Sequence, residues 1–111
     1  MSISFGGIGS VSATFKTTGT INEGDPVKMS SSGTVAAAGE EDRFCGIATY
    51  VSDDGYAAVK LKGCVTVPLT GSVSVGYATL LADGDGGVMA DEDGAEFLVI
   101  ETATGNCTII L

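Results

Sequence analysis

The stretch that decides the fold is VSDDGYAAVKLKGCVTVPL, residues 51–69. The Asp-Gly pair within residues 53–55 is a hairpin signal, because these residues tolerate the positive φ angles of a tight turn. After the turn, residues 56–62 alternate in polarity, which places Val59 and Leu61 on one face of a strand. The alternation predicts a half-buried strand that pairs through the hairpin with the segment before it.

Similar short runs recur along the whole chain, and Gly, Asp and Ser turns separate them. No segment has the periodicity of an amphipathic helix of useful length. The predicted strands cover residues 12–16, 27–29, 34–37, 43–51, 56–62, 64–69, 77–82, 87–90, 96–102 and 106–111. The sequence therefore predicts an all-β fold, a small Gly-rich β-barrel or sandwich with tight hairpins and an extended N-terminal arm.

The arm is assigned to residues 1–15, which precede the first charged side chain and are interrupted by Gly and Ser. At 111 residues the chain has the length of one domain, so residues 16–111 are expected to form a single β-barrel-like domain. An alternative is that the arm forms the first strand of its own barrel.

Segments 24–61 and 76–111 align as a weak internal repeat, in which Phe44 falls near Phe97 and each copy ends in a hairpin containing Gly. Two such halves would wrap into a closed or sandwiched barrel, which limits exposed sheet edges. Whether they form one barrel or two lobes stays open at this point.

Composition narrows the classes of function. The net charge is −9, from fourteen acidic and five basic residues, and the chain has no His. An acidic protein repels phosphate backbones, so a nucleic-acid partner is not expected. Without His, the commonest general base and metal ligand are missing. No apolar run approaches the length of a membrane span, and no membrane partner is expected.

Chemical motifs fail when they are tested one by one. The sequence Asp83-Gly-Asp85 starts like a calcium loop, but the later ligand positions hold Gly87 and Gly94. A solvated turn is the preferred interpretation, and a weak cation site at Asp83 and Asp85 stays open. The glycines near the N-terminus fit no phosphate loop, and no Ser or Cys has a His partner. We expect no enzyme activity, metal or cofactor.

The three cysteines are Cys45, Cys64 and Cys107, an odd number at spacings that match no zinc or redox motif. Reduced, buried thiols in a protein made in the cytosol are the expected state. A bridge between Cys45 and Cys64 is the alternative.

A family resemblance runs from Gly24 to Val88, through GDPVKM, FCGIA, GYAAVKLKGCVTVPL and VGYATLLAD. This pattern resembles the small capsid decoration proteins of tailed bacteriophages, also called cement or head-stabilising proteins. Tyr77 departs from it, since a second Asp is usual there. The resemblance implies a non-enzymatic protein on the outer capsid surface of the virion, made in the host cytoplasm. It also implies the major capsid protein as partner and a homotrimer, although the sequence does not distinguish monomer from trimer.

An uncharged arm with spaced apolar residues suits addition of a strand to a neighbouring subunit. The predicted contacts with the shell are Ile3, Phe5, Ile8, Phe15, Lys60 and Lys62. The alternatives are a receptor- or carbohydrate-binding module associated with a fibre, and a structural subunit of a tail or neck. Exposed aromatics lining a groove, or binding that is lost with a chelator, would favour the receptor- or carbohydrate-binding alternative.

Overall fold

The computed structural model describes residues 10–111, and their fold is all-β, as predicted. Its strands are β1 Val11–Thr17, β2 Pro26–Ser31, β3 Thr34–Ala37, β4 Gly46–Val51, β5 Tyr56–Lys62, β6 Cys64–Thr70, β7 Gly76–Ala82, β8 Val88–Ala90, β9 Ala95–Ala103 and β10 Asn106–Ile110. No helix within residues 10–111 is long and apolar enough to cross a membrane. Ile3, Phe5 and Ile8 lie outside the described residues.

The strands close into two five-stranded barrels with the same topology. Their circular orders are β1-β3-β2-β4-β5 and β6-β8-β7-β9-β10. In each barrel the first strand is parallel to the third and antiparallel to the fifth. The described end of the predicted arm, residues 10–15, leads into and forms most of β1, a strand of the chain's own first barrel.

Each barrel has its own apolar interior, supplied by equivalent strands. In the first barrel Val35 on β3 and Val59 on β5 are fully buried. In the second, Val88 on β8 and Ile109 on β10 are fully buried in the equivalent strands. The predicted alternation on β5 is confirmed, because Val59 and its neighbour Ala57 face inward while Tyr56 is exposed.

The loop between β3 and β4 joins the two barrels and is called the clamp loop here (residues 38–45). Its backbone meets β7, where Glu41 N–H donates to Ala82 O at 3.0 Å and Ala82 N–H donates to Asp42 O at 2.8 Å. Phe44 stacks on Phe97 of β9 with ring centroids 5.0 Å apart. This packing explains why β4 begins at Gly46 rather than at the predicted residue 43.

The passage between the barrels is a single residue, Gly63, which separates β5 from β6. Its φ angle is +117°, a value that favours glycine. A Cβ atom there would lie 2.8 Å from Ser10 Oγ. Leu111 N–H donates to Gly63 O at 2.9 Å, so both described ends of the chain pack against this junction.

All three thiols are free. Cys107 is buried within the second barrel, as expected, and Cys64 is half-buried. The expectation of burial is wrong for Cys45, which is exposed. Its neighbours Phe44 and Gly46 are both buried, so the alternation of side chains along this extended segment directs the thiol outward. The predicted alternative bridge between Cys45 and Cys64 is not formed.

Candidate functional site

The predicted contact residues within the described chain lie on two neighbouring strands. Phe15 is on β1, whereas Lys60 and Lys62 are on β5, and these strands pair antiparallel. The register sets Phe15 opposite Ala57, which is buried, so Phe15 lies on the inner face of the sheet. Lys60 and Lys62 lie on the outer face, and the fold therefore does not bring the three side chains onto one surface.

Two of these three side chains have partners inside the molecule. Phe15 is half-buried and packs against the apolar interior of the first barrel. Lys60 Nζ donates a hydrogen bond to Cys64 O at 2.9 Å, just beyond the junction between the barrels. A buried ring and an occupied ammonium group contribute to the fold, so they leave less surface for an external partner.

Lys62 is exposed and lies beside the start of the described chain. Its partner across the sheet is Val11, the first residue of β1, which is 52% exposed. Because Ser10 immediately precedes Val11, residues 1–9 join the barrel next to Lys62. The pairing of β1 with β5 therefore places Lys62 beside the point where the described chain begins.

The same outer surface continues toward the hairpin between β4 and β5. Lys16 lies directly opposite Tyr56 in the pairing of β1 with β5. Tyr50 lies opposite Ala58, so it is the diagonal neighbour of Tyr56 on the same face. Both tyrosines are exposed. We call this surface, made of Val11, Lys16, Tyr50, Tyr56 and Lys62, the lysine–tyrosine face.

Sequence reasoning missed Lys16 and Tyr50 as members of this face. The signal for Tyr56 was present, since the alternation in β5 puts it on the same side as the two lysines. Tyr50 was harder to place because a bulge between Ala48 and Tyr50 shifts the register of β4 against β5. A period of two does not survive such a bulge.

The charges of the chain are divided unevenly between the barrels. All five basic residues lie within residues 1–62, together with seven of the fourteen acidic ones. Residues 63–111 carry the other seven acidic residues and no basic one. The lysine–tyrosine face holds two exposed ammonium groups within an otherwise acidic molecule. Residues 1–62 thus carry a net charge of −2 and residues 63–111 one of −7, so an acidic partner surface is repelled less by the first barrel than by the second. Attraction is local, at the two ammonium groups of the lysine–tyrosine face.

The acidic turns have structural partners. Asp83 Oδ1 accepts hydrogen bonds from the N–H groups of Asp85 and Gly87, at 2.7 and 3.0 Å, and its Oδ2 accepts one from Thr70 Oγ1 at 2.8 Å. Burial raises the pKa of Asp83, but these hydrogen bonds outweigh it and hold the pKa below its ordinary value. The carboxylate thus organises the turn between β7 and β8.

A second carboxylate holds the clamp loop in place. Asp42 Oδ2 accepts hydrogen bonds from Lys28 Nζ at 2.6 Å and from Gly39 N–H at 2.8 Å. These bonds lower the pKa of Asp42. Within residues 10–111, no group of three or more His, Cys, Asp or Glu side chains is arranged to hold a metal ion.

Comparison of the chain with known protein families gives no match, and comparison with curated proteins gives none either.

Proposed function

We propose that the protein is a non-enzymatic capsid decoration protein of a tailed bacteriophage, which binds the outer surface of the assembled shell and stabilises it. The observation that carries the proposal is the lysine–tyrosine face. It combines exposed aromatic rings and ammonium groups on one barrel wall, and residues 1–9 join this wall beside Lys62, at the opposite end of β5 from Tyr56. The sequence resemblance to decoration proteins supplies the class of partner, the major capsid protein.

The chemistry of this face suits a protein partner. Tyrosines contribute a large apolar area together with a hydroxyl group, and they are enriched in protein interfaces. Tyr50 and Tyr56 are adjacent on one wall, so one flat partner surface can cover both rings. Lys16 and Lys62 flank the rings along β1 and β5. They favour a shell surface that carries carboxylates.

The second barrel has the properties of the side that faces solvent. Residues 63–111 carry only acidic charges, which keeps a β-rich surface soluble. An acidic patch on the shell would repel this barrel and orient the protein with its first barrel inward. The charge distribution therefore supports one orientation on the shell over the reverse.

A homotrimer would make modest contacts effective. A single subunit contact of about 800 Å² on each partner is of ordinary size for a specific complex. Three linked contacts raise the overall affinity about 10²–10⁴-fold when all three sites are reached together. In this proposal residues 1–9 contribute further contacts through Ile3, Phe5 and Ile8, with a strand added to a neighbouring subunit.

The test is co-sedimentation with undecorated, expanded capsids of the phage that encodes the protein, followed by electron microscopy of the pellet. We expect saturable binding at regular lattice points. The double variant Tyr56→Ala/Lys62→Ser should weaken binding at least about tenfold. The control Tyr77→Ala/Asn106→Asp makes the same net charge change on the second barrel and should bind normally.

Deletion of residues 2–10 gives an independent test of the arm. The shortened chain should remain folded and should bind shells more weakly than the full chain.

Equal loss of binding in both double variants would contradict the proposed orientation. Binding to no shell at all would overturn the proposal, and self-assembly into rings or tubes without capsids would favour a tail or neck subunit.

A further inference from the structure

One exposed apolar patch lies outside the lysine–tyrosine face and is unused by the proposed function. Val75 is 63% exposed and Tyr77 is 73% exposed, the two highest values among the large hydrophobic residues of the described chain. Both line a single open groove of about 420 Å³ on the second barrel. Large apolar side chains concentrated at one exposed place are typical of a binding site.

Polar groups surround the tyrosine in this groove. Ser72, Ser74 and Thr79 contribute hydroxyl groups, and Glu96 contributes a carboxylate. Glu96 lies opposite Thr79 in the pairing of β7 with β9, next to the pair of Tyr77 with Leu98. The groove thus combines one flat aromatic ring with several hydrogen-bonding groups, and its volume lies in the range of small-ligand sites, about 300–1,000 Å³.

A second groove of about 310 Å³ adjoins the first, and Ser72 and Val73 line both. Thr102 and Thr104 add two further hydroxyl groups to this second groove. The two grooves therefore lie next to each other at the loop between β6 and β7. A ligand of several similar units can place one unit in each groove, which a single compact molecule cannot do.

The charge of the second barrel limits the chemical classes of ligand that the grooves can bind. Residues 63–111 contain no Lys or Arg, so nothing in the grooves compensates a phosphate, sulfate or carboxylate group. Hydroxyl groups and a carboxylate are suitable partners for the hydroxyl groups of an uncharged sugar. The Tyr77 ring offers a flat apolar surface to the C–H face of a pyranose.

We propose that these grooves, which we call the Tyr77 groove, bind an uncharged oligosaccharide. One sugar ring packs on Tyr77, its hydroxyl groups bond to Glu96 and the neighbouring serines, and the next unit lies in the adjoining groove beside Thr102 and Thr104. This binding site goes beyond the proposed contact with a shell and does not depend on it. On a decorated shell, the acidic second barrel would present the groove outward.

The test is an NMR titration of the full-length protein with maltotriose, cellotriose and chitotriose, with 3′-sialyllactose as the anionic comparison. We expect at least one neutral trisaccharide to shift the amide signals of Ser72, Val75 and Tyr77 saturably, with a Kd of about 0.1–1 mM. Sialyllactose should bind at least about tenfold more weakly because of charge repulsion.

Two variants of Tyr77 separate stacking from a general effect on the fold. Tyr77→Ala should weaken binding at least about tenfold, whereas Tyr77→Phe keeps the ring and should stay within about threefold of the original protein. Met29→Ala removes an exposed apolar side chain of the first barrel, outside both proposed binding surfaces, and should leave sugar binding unchanged. The thermal midpoint of Tyr77→Ala should match that of the original protein, since the side chain is exposed.

Absence of saturable binding to all three neutral sugars would overturn the proposal. Binding that survives Tyr77→Ala, or shifts confined to the first barrel, would also overturn it. The capsid experiment uses Tyr77→Ala only within its control, so failure of sugar binding leaves the proposed shell contact unaffected. Failure of shell binding likewise has no bearing on the sugar titration, because that titration uses the protein without capsids.

Discussion

The contact between Phe44 and Phe97 is expected to make the two barrels unfold as one unit, and replacement of Phe44 tests this directly. Phe44 is 7% exposed and stacks on Phe97 with an angle of 8° between the rings. It belongs to the core of the second barrel, although it comes from a loop of the first. Truncation therefore removes apolar packing from the place where the barrels meet.

The magnitude follows from this burial. Truncation of a buried Phe to Ala costs about 3–5 kcal/mol, and the stacked geometry contributes about 0.5–1.5 kcal/mol of that. A domain of this length has a total stability of about 5–15 kcal/mol. We expect Phe44→Ala to lower the free energy of unfolding by about 4 kcal/mol. With a urea m-value of about 2 kcal/mol/M, the midpoint falls by about 2 M.

The assay is urea unfolding under reducing conditions, followed by far-UV circular dichroism and by tyrosine fluorescence. The original protein should show one transition with both probes. A double-mutant cycle with Phe97→Ala should give a coupling energy of about 1 kcal/mol. Tyr77→Ala removes an exposed ring as a control and should stay within about 0.5 kcal/mol.

Two results would refute this reasoning. The first is a midpoint for Phe44→Ala within about 0.5 M of the original, which would mean that the clamp loop does not stabilise the second barrel. The second is two separate transitions in the original protein, which would mean that each barrel folds alone.

Three further predictions concern the turns. Glu41 has a φ angle of +66°, so Glu41→Gly should raise the free energy of unfolding by about 0.5–1 kcal/mol. Glu40 lacks this angle, and Glu40→Gly should lower the free energy of unfolding. Thermal unfolding of both variants tests the prediction, and destabilisation by Glu41→Gly would contradict it. A Cβ at Gly94 would press on the backbone of Leu80, so Gly94→Ala should lower the free energy of unfolding in urea by at least about 2 kcal/mol. A Cβ at Gly39 would meet only the end of the Asp42 side chain. An equal loss of stability in Gly39→Ala and Gly94→Ala would contradict the prediction. The pKa of Asp83 is lowered in the folded protein, so its stabilising contribution is complete above the ordinary value of 3.8 and is lost as the pH falls from there through the folded value. Asp83→Asn should flatten the pH dependence of stability across this window, and an unchanged acid profile would count against it.

The strands were the part of the structure that the sequence predicted best. Segments 34–37 and 56–62 match β3 and β5 at both ends. Glycines precede both segments and follow them closely, and the polarity of residues 56–62 alternates from one residue to the next. The main error was residues 43–45, which were predicted as the beginning of a strand. Arg43 and Phe44 instead reach the second barrel, where they contact Asp93 and Phe97. Apolar character predicts that Phe44 is buried, but it does not predict which barrel buries it.

The closure of two separate barrels was not predictable from local patterns. It depends on the parallel pairings of β1 with β3 and of β6 with β8, which join residues far apart in the chain. Pro68 illustrates the difficulty, because a proline cannot donate a hydrogen bond within a sheet and is usually confined to a strand end or a sheet edge. It lies inside β6, in a position whose nitrogen faces β8, and the pairing with β8 begins only at Leu69.

The candidate site was predicted in part. The alternation in β5 identified Lys62 and its face, but it could not show that the ammonium of Lys60 is bound by Cys64 O. That bond depends on the path of the chain after Gly63, a tertiary feature. Tyr77 entered the sequence argument only as a departure from a family pattern, and its exposure beside Val75 became visible in the folded chain.

The junction at Gly63 determines how closely the orientation of one barrel follows that of the other. A tether of one residue, reinforced by Lys60 and by the clamp loop, leaves no free hinge between the barrels. In the proposed attachment through the lysine–tyrosine face, the fixed arrangement of the barrels also sets the direction in which the Tyr77 groove points. Copies anchored to a regular lattice would present their grooves at a fixed spacing, and all the grooves would open in the same direction relative to the surface. Such an array would discriminate between targets by their spacing as well as by their chemistry.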